Sequence, residues 1–179
     1  MPIAPPTQFT AVRRSARFSR CSRHRLLLER HWDEGPLVGF VMLNPSTADH
    51  ARDDATIGRC TTFARDWGFG GLLVANLFTL RSTDPRILTL TTATSRNADG
   101  ADEALDELAE RCDLIVEAWG AHRTVDDRAS AVRTRVARSG TELAVLGRTK
   151  DGHPRHPLYV PALTAPVDAF SGRAITLPS

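Results

Sequence analysis

Four short polar segments hold most of the side chains in this chain that could perform chemistry. They are Asn44-Pro-Ser-Thr-Ala-Asp49, Asn76-Leu-Phe-Thr-Leu-Arg81, Trp119-Gly-Ala-His122 and Arg148 through Tyr159. Each follows a short run of almost wholly apolar residues. None has the glycine spacing of a phosphate-binding loop or the Gly-x-Ser-x-Gly elbow of a serine hydrolase. We therefore expect the chemistry of this protein in these four segments.

The last segment has two histidines, His153 and His156, at an HxxH spacing. Asp151 and His122 are possible further metal ligands. Prolines inside the segment keep it out of a helix, and no cysteine lies nearby, so the pattern disfavours a zinc site. We expect neither a metal nor a cofactor. Two histidines, two prolines and an arginine pack poorly in a core, so the segment favours a functional role.

The elements that must position these segments are apolar strands and amphipathic helices. The patterns predict strands over 25–32, 37–43, 72–75, 114–118 and 143–146, and helices over 55–67, 101–112 and 126–139. The first two strands are expected to form a hairpin. Alternating strands and helices are typical of an α/β fold, here a three-layer α/β/α sandwich with a mainly parallel four-stranded sheet and an antiparallel N-terminal edge strand. Ligands of such sheets bind at the carboxyl ends of the strands, where the four segments begin.

Length and composition fit a single domain of 179 residues. We expect a flexible basic arm over 1–15, one domain over 16–170 and a tail over 171–179. No apolar run is long enough to span a membrane, and no secretory signal is evident. With three scattered cysteines, these features predict a cytoplasmic protein, and we expect a monomer.

Charge is unevenly distributed although the formal net charge is only +2. Residues 1–30 contain seven arginines and a single acid, Glu29, whereas residues 99–117 are strongly acidic. A basic arm permits a polyanionic partner such as DNA. A solvated, arginine-rich surface explains the same charges equally well.

In chain order, the four segments resemble motifs of the uracil-DNA glycosylase superfamily. Met42-Leu-Asn-Pro-Ser46 is similar to its first motif, and Gly71 through Arg81 is similar to the strand that ends in a base-reading asparagine. Leu114 through His122 resembles its apolar strand ending in Trp-Gly, and Gly152 through Leu158 resembles its final His-Pro-Ser-Pro-Leu loop. The phrases MLNPSTAD and TKDGHPRHPLY also resemble the bacterial domain of unknown function 1643. The resemblance implies a uracil-DNA glycosylase-like fold and a metal-independent hydrolase that cleaves the N-glycosidic bond of a flipped DNA base.

Several departures from the motifs change what the resemblance implies. Met42 and Ser46 replace the two motif glycines, and an extra residue separates the two His-Pro pairs. Asn44 stands where some branches have an acid, and the four-cysteine iron–sulfur set is missing. These differences indicate an altered pocket, so we expect a damaged or modified base as the substrate, in DNA repair or in defence against foreign DNA.

The resemblance implies catalytic roles for four residues. Asn44 orients a water, because an amide has no useful basicity. Either His153 or His156 donates to the leaving base, and Asp49 is a carboxylate that reaches the water.

The resemblance also implies which residues bind the base and the DNA. Asn76 reads the base edge, Met42 lines the pocket, and Phe78 stacks on the base, with Trp119 as the second choice. The segments place further side chains beside single- or double-stranded DNA, with Leu158 as a wedge in the gap left by the flipped nucleotide. These DNA-binding residues are Ser46, Thr47, Arg81, Lys150, Arg155, Leu158 and Tyr159.

Alternatives remain open at this point. The same crevice suits a non-catalytic protein that binds modified bases or nucleotides, and it suits an enzyme that acts on free nucleotides. Asn44-Pro-Ser-Thr is also explained as a strand-to-helix turn, with Ser46 or Thr47 as a cap. Asp49, Asp53 and Asp54 are explained as acids at a helix start.

Overall fold

The fold is α/β in the computed structural model, which describes residues 12–178. Seven strands form one mixed sheet, and four α-helices accompany it. The strands are β1 (Arg13–Phe18), β2 (Arg25–His31), β3 (Leu37–Met42), β4 (Gly71–Asn76), β5 (Leu114–Glu117), β6 (Glu142–Val145) and β7 (Val167–Asp168). The helices are α1 (Ala55–Asp66), α2 (Ile87–Leu90), α3 (Ala101–Arg111) and α4 (Asp126–Ser139).

The strand order brings the ends of four strands to one edge. The order is β1-β2-β4-β3-β5-β6-β7. Strands β4, β3, β5 and β6 pair in parallel, whereas β1, β2 and β7 pair antiparallel to their neighbours. Because parallel strands point the same way, the segments that leave β3, β4, β5 and β6 begin at the same edge of the sheet.

Two apolar cores form because successive strand residues face opposite sides of the sheet. On β3, Phe40 and Met42 pack with α1, whereas Val41 packs with α3 and α4 on the other face. Strand β4 is buried along its whole length, as expected for a strand covered on both faces. The sheet is thus a rigid platform between helices.

The helix boundaries follow the capping signals in the sequence. The side chain of Asp54 caps α1 by accepting a hydrogen bond from the backbone N–H of Ile57 at 2.9 Å. Such a cap contributes about 1 kcal/mol. Gly140 ends α4 with φ of 77°, which a glycine adopts without strain. The Asp54 cap matters for function because it also fixes a carboxylate at the carboxyl edge of the sheet.

Two predictions about the N-terminal part of the chain differ from the structure. Strands β2 and β3 do not pair with each other, because β4 lies between them. Residues 13–15, assigned to the arm, begin β1, whose side chains are mostly exposed, so the strand lacks an apolar signal. In the predicted tail, Ile175 and Leu177 pack against the core. The rest of the predicted arm, 1–11, lies outside the described residues.

Within residues 12–178, no helix combines the length and the apolar character needed to cross a membrane. All three cysteines are free thiols, and Cys60 and Cys112 are buried in the two cores.

Candidate functional site

A cavity of about 850 Å³ opens at the carboxyl edge of the parallel strands. This volume lies within the range of about 300–1,000 Å³ typical of small-molecule sites. Its walls come from the segments after β3, β4, β5 and β6, from the start of β2 and from the first turn of α1. The lining residues are Arg25, Met42, Leu43, Asn44, Ser46, Asp54, Thr56, Ile57, Asn76, Ser82, Thr83, Pro85, Trp119, Gly120, Ala121, Thr149, Lys150, Arg155, His156 and Tyr159.

Asn44 has a fixed amide orientation. Its Nδ2 lies 3.2, 3.4 and 3.0 Å from the carbonyl oxygens of Pro45, Leu80 and Ser82, to which it donates. Because the amino group is used by the backbone, the carbonyl Oδ1 is left to accept hydrogen bonds from molecules in the cavity. Asn44 can therefore orient a water but cannot take its proton.

His156 offers the cavity a hydrogen-bond donor, whereas Asn44 offers an acceptor. Its Nδ1 accepts a hydrogen bond from the backbone N–H of Leu158 at 3.3 Å. Burial lowers the pKa of His156 below its ordinary value of 6.5, and the Asp54 charge opposes that shift. A neutral imidazole that accepts at Nδ1 has its proton on Nε2. His156 is thus a neutral hydrogen-bond donor at neutral pH.

Arg25 and Asn76 lie at the inner end of the cavity, and both are 2% exposed. The guanidinium of Arg25 donates to the carbonyl oxygen of Ala48 at 3.0 Å and to Oδ1 of Asn76 at 3.4 Å. Nε of Arg25 and Nδ2 of Asn76 are buried and have no hydrogen-bond partner among the described residues. Both residues line the cavity, but these two unpaired donors lie just beneath its surface and are almost inaccessible to solvent.

Asp54 is the carboxylate among the residues that line this cavity in the described part of the chain. Its Oδ1 accepts from Ile57 N–H, and its Oδ2 accepts from Ala48 N–H at 3.3 Å. A carboxylate has about four lone-pair sites, so each oxygen can still accept from a water. Sequence reasoning assigned Asp54 only to the helix start, and that structural role is correct.

Trp119 and Tyr159 line the cavity, whereas Phe78, expected to stack on the base, is absent from the lining. Phe78 is 5% exposed and Trp119 is 2% exposed, and both pack in the core that includes residues of α3. Trp119 lines the cavity together with Met42. The guanidinium of Arg133 lies 5.5 Å from the Trp119 ring centroid, and it is held there by the buried Glu117.

Two of the four expected catalytic residues do not reach the cavity. Oδ1 of Asp49 accepts from the backbone N–H groups of Ala51 and Arg52 at 2.7 and 2.9 Å, so this acid closes its own loop. His153 is absent from the lining, and its backbone ties the loop to Thr149. Of the two histidines that the sequence left open, His156 lines the cavity and His153 does not.

The expected DNA-binding residues divide in the same way. Ser46, Lys150, Arg155 and Tyr159 line the cavity, whereas Thr47 and Leu158 lie outside it, with Leu158 43% exposed. Arg81 is engaged elsewhere, since it donates to the Ser22 carbonyl at 3.2 Å and lies over Phe18. Its guanidinium anchors the β1–β2 hairpin and does not line the cavity, and the phosphate contact stays a prediction.

Arg25 lines the cavity, and sequence reasoning missed it. It is the charged residue directly before the three leucines of β2, and this position was the available signal. Its depth could not be known without the antiparallel pairing of β2 with β4, which places it beside Asn76. Among the described residues, no cluster of three or more His, Cys, Asp and Glu side chains is arranged to hold a metal.

Comparison with known proteins identifies one family. The family model described as "Protein of unknown function (DUF1643)" matches residues 25–158, which include every strand and helix that borders the cavity. No curated protein and no solved structure matches the chain.

Proposed function

The chain belongs to the DUF1643 family of proteins of unknown function, and we propose that it hydrolyses the N-glycosidic bond of a damaged or modified base flipped out of DNA. One observation carries the proposal: Asn44, Asn76 and His156 come from three separate segments and line the same cavity. The four parallel strands with helices on both faces also support a uracil-DNA glycosylase-like sheet. Base flipping explains why such a cavity is open at one side.

The reaction needs a water, a leaving group and a place for one proton. The water oxygen bonds to C1′ of the sugar, and the C1′–N bond breaks with its electron pair going to the base. Positive charge develops on the sugar and negative charge on the departing base. The water loses one proton and the base finally gains one, so the products are a free base and an abasic site.

Asn44 and Asp54 act on the water. Oδ1 of Asn44 accepts one hydrogen of the water, because the three backbone carbonyls hold the amide in that orientation. Asp54 takes the proton, since it is the carboxylate in the cavity lining. This division replaces the role first expected for Asp49, and general-base assistance of this kind is worth roughly 10²–10⁴-fold.

His156 acts on the leaving base. Its Nε2–H donates to an oxygen of the base as negative charge builds there. One well-placed donor to a developing anion contributes about 2.7–4 kcal/mol. Trp119 is 2% exposed, so the more accessible surface for stacking of a base ring is Tyr159, which is 77% exposed and lines the same cavity.

A second function has one observation in its favour. Both oxygens of Asp54 already accept backbone N–H bonds, so the structural role of this carboxylate explains its place at the cavity without any chemistry. A protein that binds a modified base without cleaving it needs the cavity and its donors but no base. The two functions differ in whether an abasic site forms.

The test is a base-release assay on duplex and single-stranded oligonucleotides with uracil, deaminated, oxidised, alkylated and glucosylated bases. We expect abasic-site formation from at least one modified base. His156→Gln and Asn44→Ala should each lower the rate at least tenfold, and the surface variant Arg138→Met should retain it. Equal rates in all variants, or release from no substrate, would overturn the hydrolase; tight binding without release would favour the second function.

A further inference from the structure

Two buried arginines on the same strand differ in how their charge is satisfied. Arg30 is 1% exposed, and its guanidinium bonds the Asp53 carboxylate at 2.7 Å together with several backbone carbonyls. Arg25 is 2% exposed, yet it has two acceptors, and no carboxylate of the described residues lies within 4.0 Å of it. Arg30 has the environment of a structural arginine, and Arg25 does not.

An unpaired buried cation is expensive, so its retention needs a reason. Burial lowers the pKa of Arg25 to about 10, which reflects that cost, and the more distant Asp54 charge offsets part of it. The neighbouring Asn76 adds a second unsatisfied donor, because its Oδ1 faces Arg25 and its Nδ2 has no partner among residues 12–178. Both residues line the same cavity, so a base at its inner end reaches the two donors when these side chains shift toward it.

We propose that Arg25 and Asn76 select a base whose edge presents two adjacent hydrogen-bond acceptors, such as O6 and N7 of a 6-oxopurine. This inference rests on the proposed function for the statement that the ligand is a base. In the major groove of DNA, arginine commonly binds the same pair of acceptors, O6 and N7 of guanine, through two hydrogen bonds. A base with an amino group at the same position places donors against donors, and both sides then remain buried and unsatisfied.

The same pair bears on the chemistry. When the glycosidic bond breaks, the negative charge of the departing base spreads onto its carbonyl oxygen, which lies at the edge that Arg25 would contact. A guanidinium fixed in a buried site stabilises such charge more than water does, because the site needs no reorganisation. The feature that is costly in the empty protein is therefore useful at the moment of cleavage.

The test measures, by isothermal titration calorimetry, the affinity of the full chain for free hypoxanthine, 7-deazahypoxanthine, adenine and uracil. We expect hypoxanthine to bind at least tenfold more tightly than each of the others, since each lacks one of the two acceptors or carries an amino group. Arg25→Met should abolish the preference for hypoxanthine over its 7-deaza analogue. The isosteric Asn76→Asp should shift binding toward adenine, and Arg138→Met is the charge-matched control, which should leave all four affinities unchanged.

The inference fails if adenine, uracil or 7-deazahypoxanthine binds as well as hypoxanthine, if no base binds at millimolar concentration, or if Arg25→Met keeps the preference. Thermal unfolding of each variant shows whether it is folded. Binding of free bases needs no catalysis. Preferred binding of hypoxanthine without any base release would therefore reject the proposed hydrolase and support base selection by Arg25 and Asn76. Base release with no preference for bases that carry the two acceptors would support the hydrolase and reject the selection.

Discussion

Asn44 is bound to Ser82 by a hydrogen bond of 3.0 Å from its amide Nδ2 to the Ser82 carbonyl oxygen. The bond joins the segment after β3 to the segment after β4, so the asparagine is a structural tie as well as a cavity residue. Two further carbonyls accept from the same nitrogen. The identity of this residue as an amide rather than an acid has a consequence that can be measured.

Asn44→Asp should destabilise the protein and should not raise the rate of base release. The substitution replaces a donor with a carboxylate oxygen that faces three carbonyl oxygens, and such unsatisfied buried groups cost about 1–3 kcal/mol each. We expect the free energy of unfolding in denaturant to fall by at least ~2 kcal/mol. A more stable variant, or a faster one, would contradict the orientation assigned to the amide.

Asp54→Asn should separate the capping role of this residue from its chemical role. Asparagine keeps one oxygen to cap α1 but loses the acceptor for the Ala48 N–H, so the melting temperature should fall only in part, whereas base release should fall at least tenfold with the loss of the carboxylate. Asp54→Ala is the matched comparison and should also lose about 1 kcal/mol of stability. If Asp54→Asn releases the base at the rate of the parent protein, Asp54 is not the group that accepts the proton of the attacking water.

Stability should depend on pH through His156. Burial lowers the pKa of this imidazole in the folded protein, while the unfolded chain protonates near 6.5. Stability linked to His156 is therefore complete above pH 6.5, declines as the pH falls from 6.5 to the folded pKa, and then levels off. Unfolding free energies at pH 7.5 and 5 should differ less in His156→Gln than in the parent protein.

The residual difference in that variant has a known source. Burial also lowers the pKa of His24 and His122, and both remain. The rate of base release should not fall directly below pH 6.5, because burial lowers the pKa of His156 and the folded protein keeps the neutral donor there. An unchanged pH dependence of stability in His156→Gln would show that the imidazole is not buried as described.

DNA affinity should depend on salt through two exposed cations at the cavity rim, Lys150 and Arg155. Each phosphate contact to duplex DNA contributes about 0.9 to the slope of log affinity against log salt concentration. Lys150→Ala and Arg155→Ala should each lower the magnitude of that slope by about one, and Arg138→Met, on the surface of α4, should leave it unchanged. Identical slopes in all proteins would remove both residues from the DNA interface.

Much of the fold was predictable because its core strands and helices have strong local signals. The predicted helix over 126–139 coincides with α4, and the other core elements differ by one or two residues at their ends. The exposed edge strand β1 and the two-residue β7 were missed because neither has an apolar pattern of its own. The pairing of β2 with β4 was missed because it depends on contacts distant in sequence.

The candidate site was predictable to a lesser degree. The rule that ligands bind at the carboxyl ends of parallel strands located the segments that hold Asn44, Asn76, Trp119 and His156. It did not distinguish His156 from His153, because that depends on which way a loop of irregular backbone turns. The core position of Phe78 depends likewise on packing that no local pattern specifies.

Arg25 enters the cavity from β2, an antiparallel strand added outside the four parallel ones. One of the two residues that we infer choose the base thus sits on a different structural unit from Asn44, Asp54 and His156. Related chains could change what they recognise by altering this hairpin while the segments after the parallel strands stay intact. Grafting alternative residues at position 25 is accordingly a direct route to redirecting the protein toward other nucleobases.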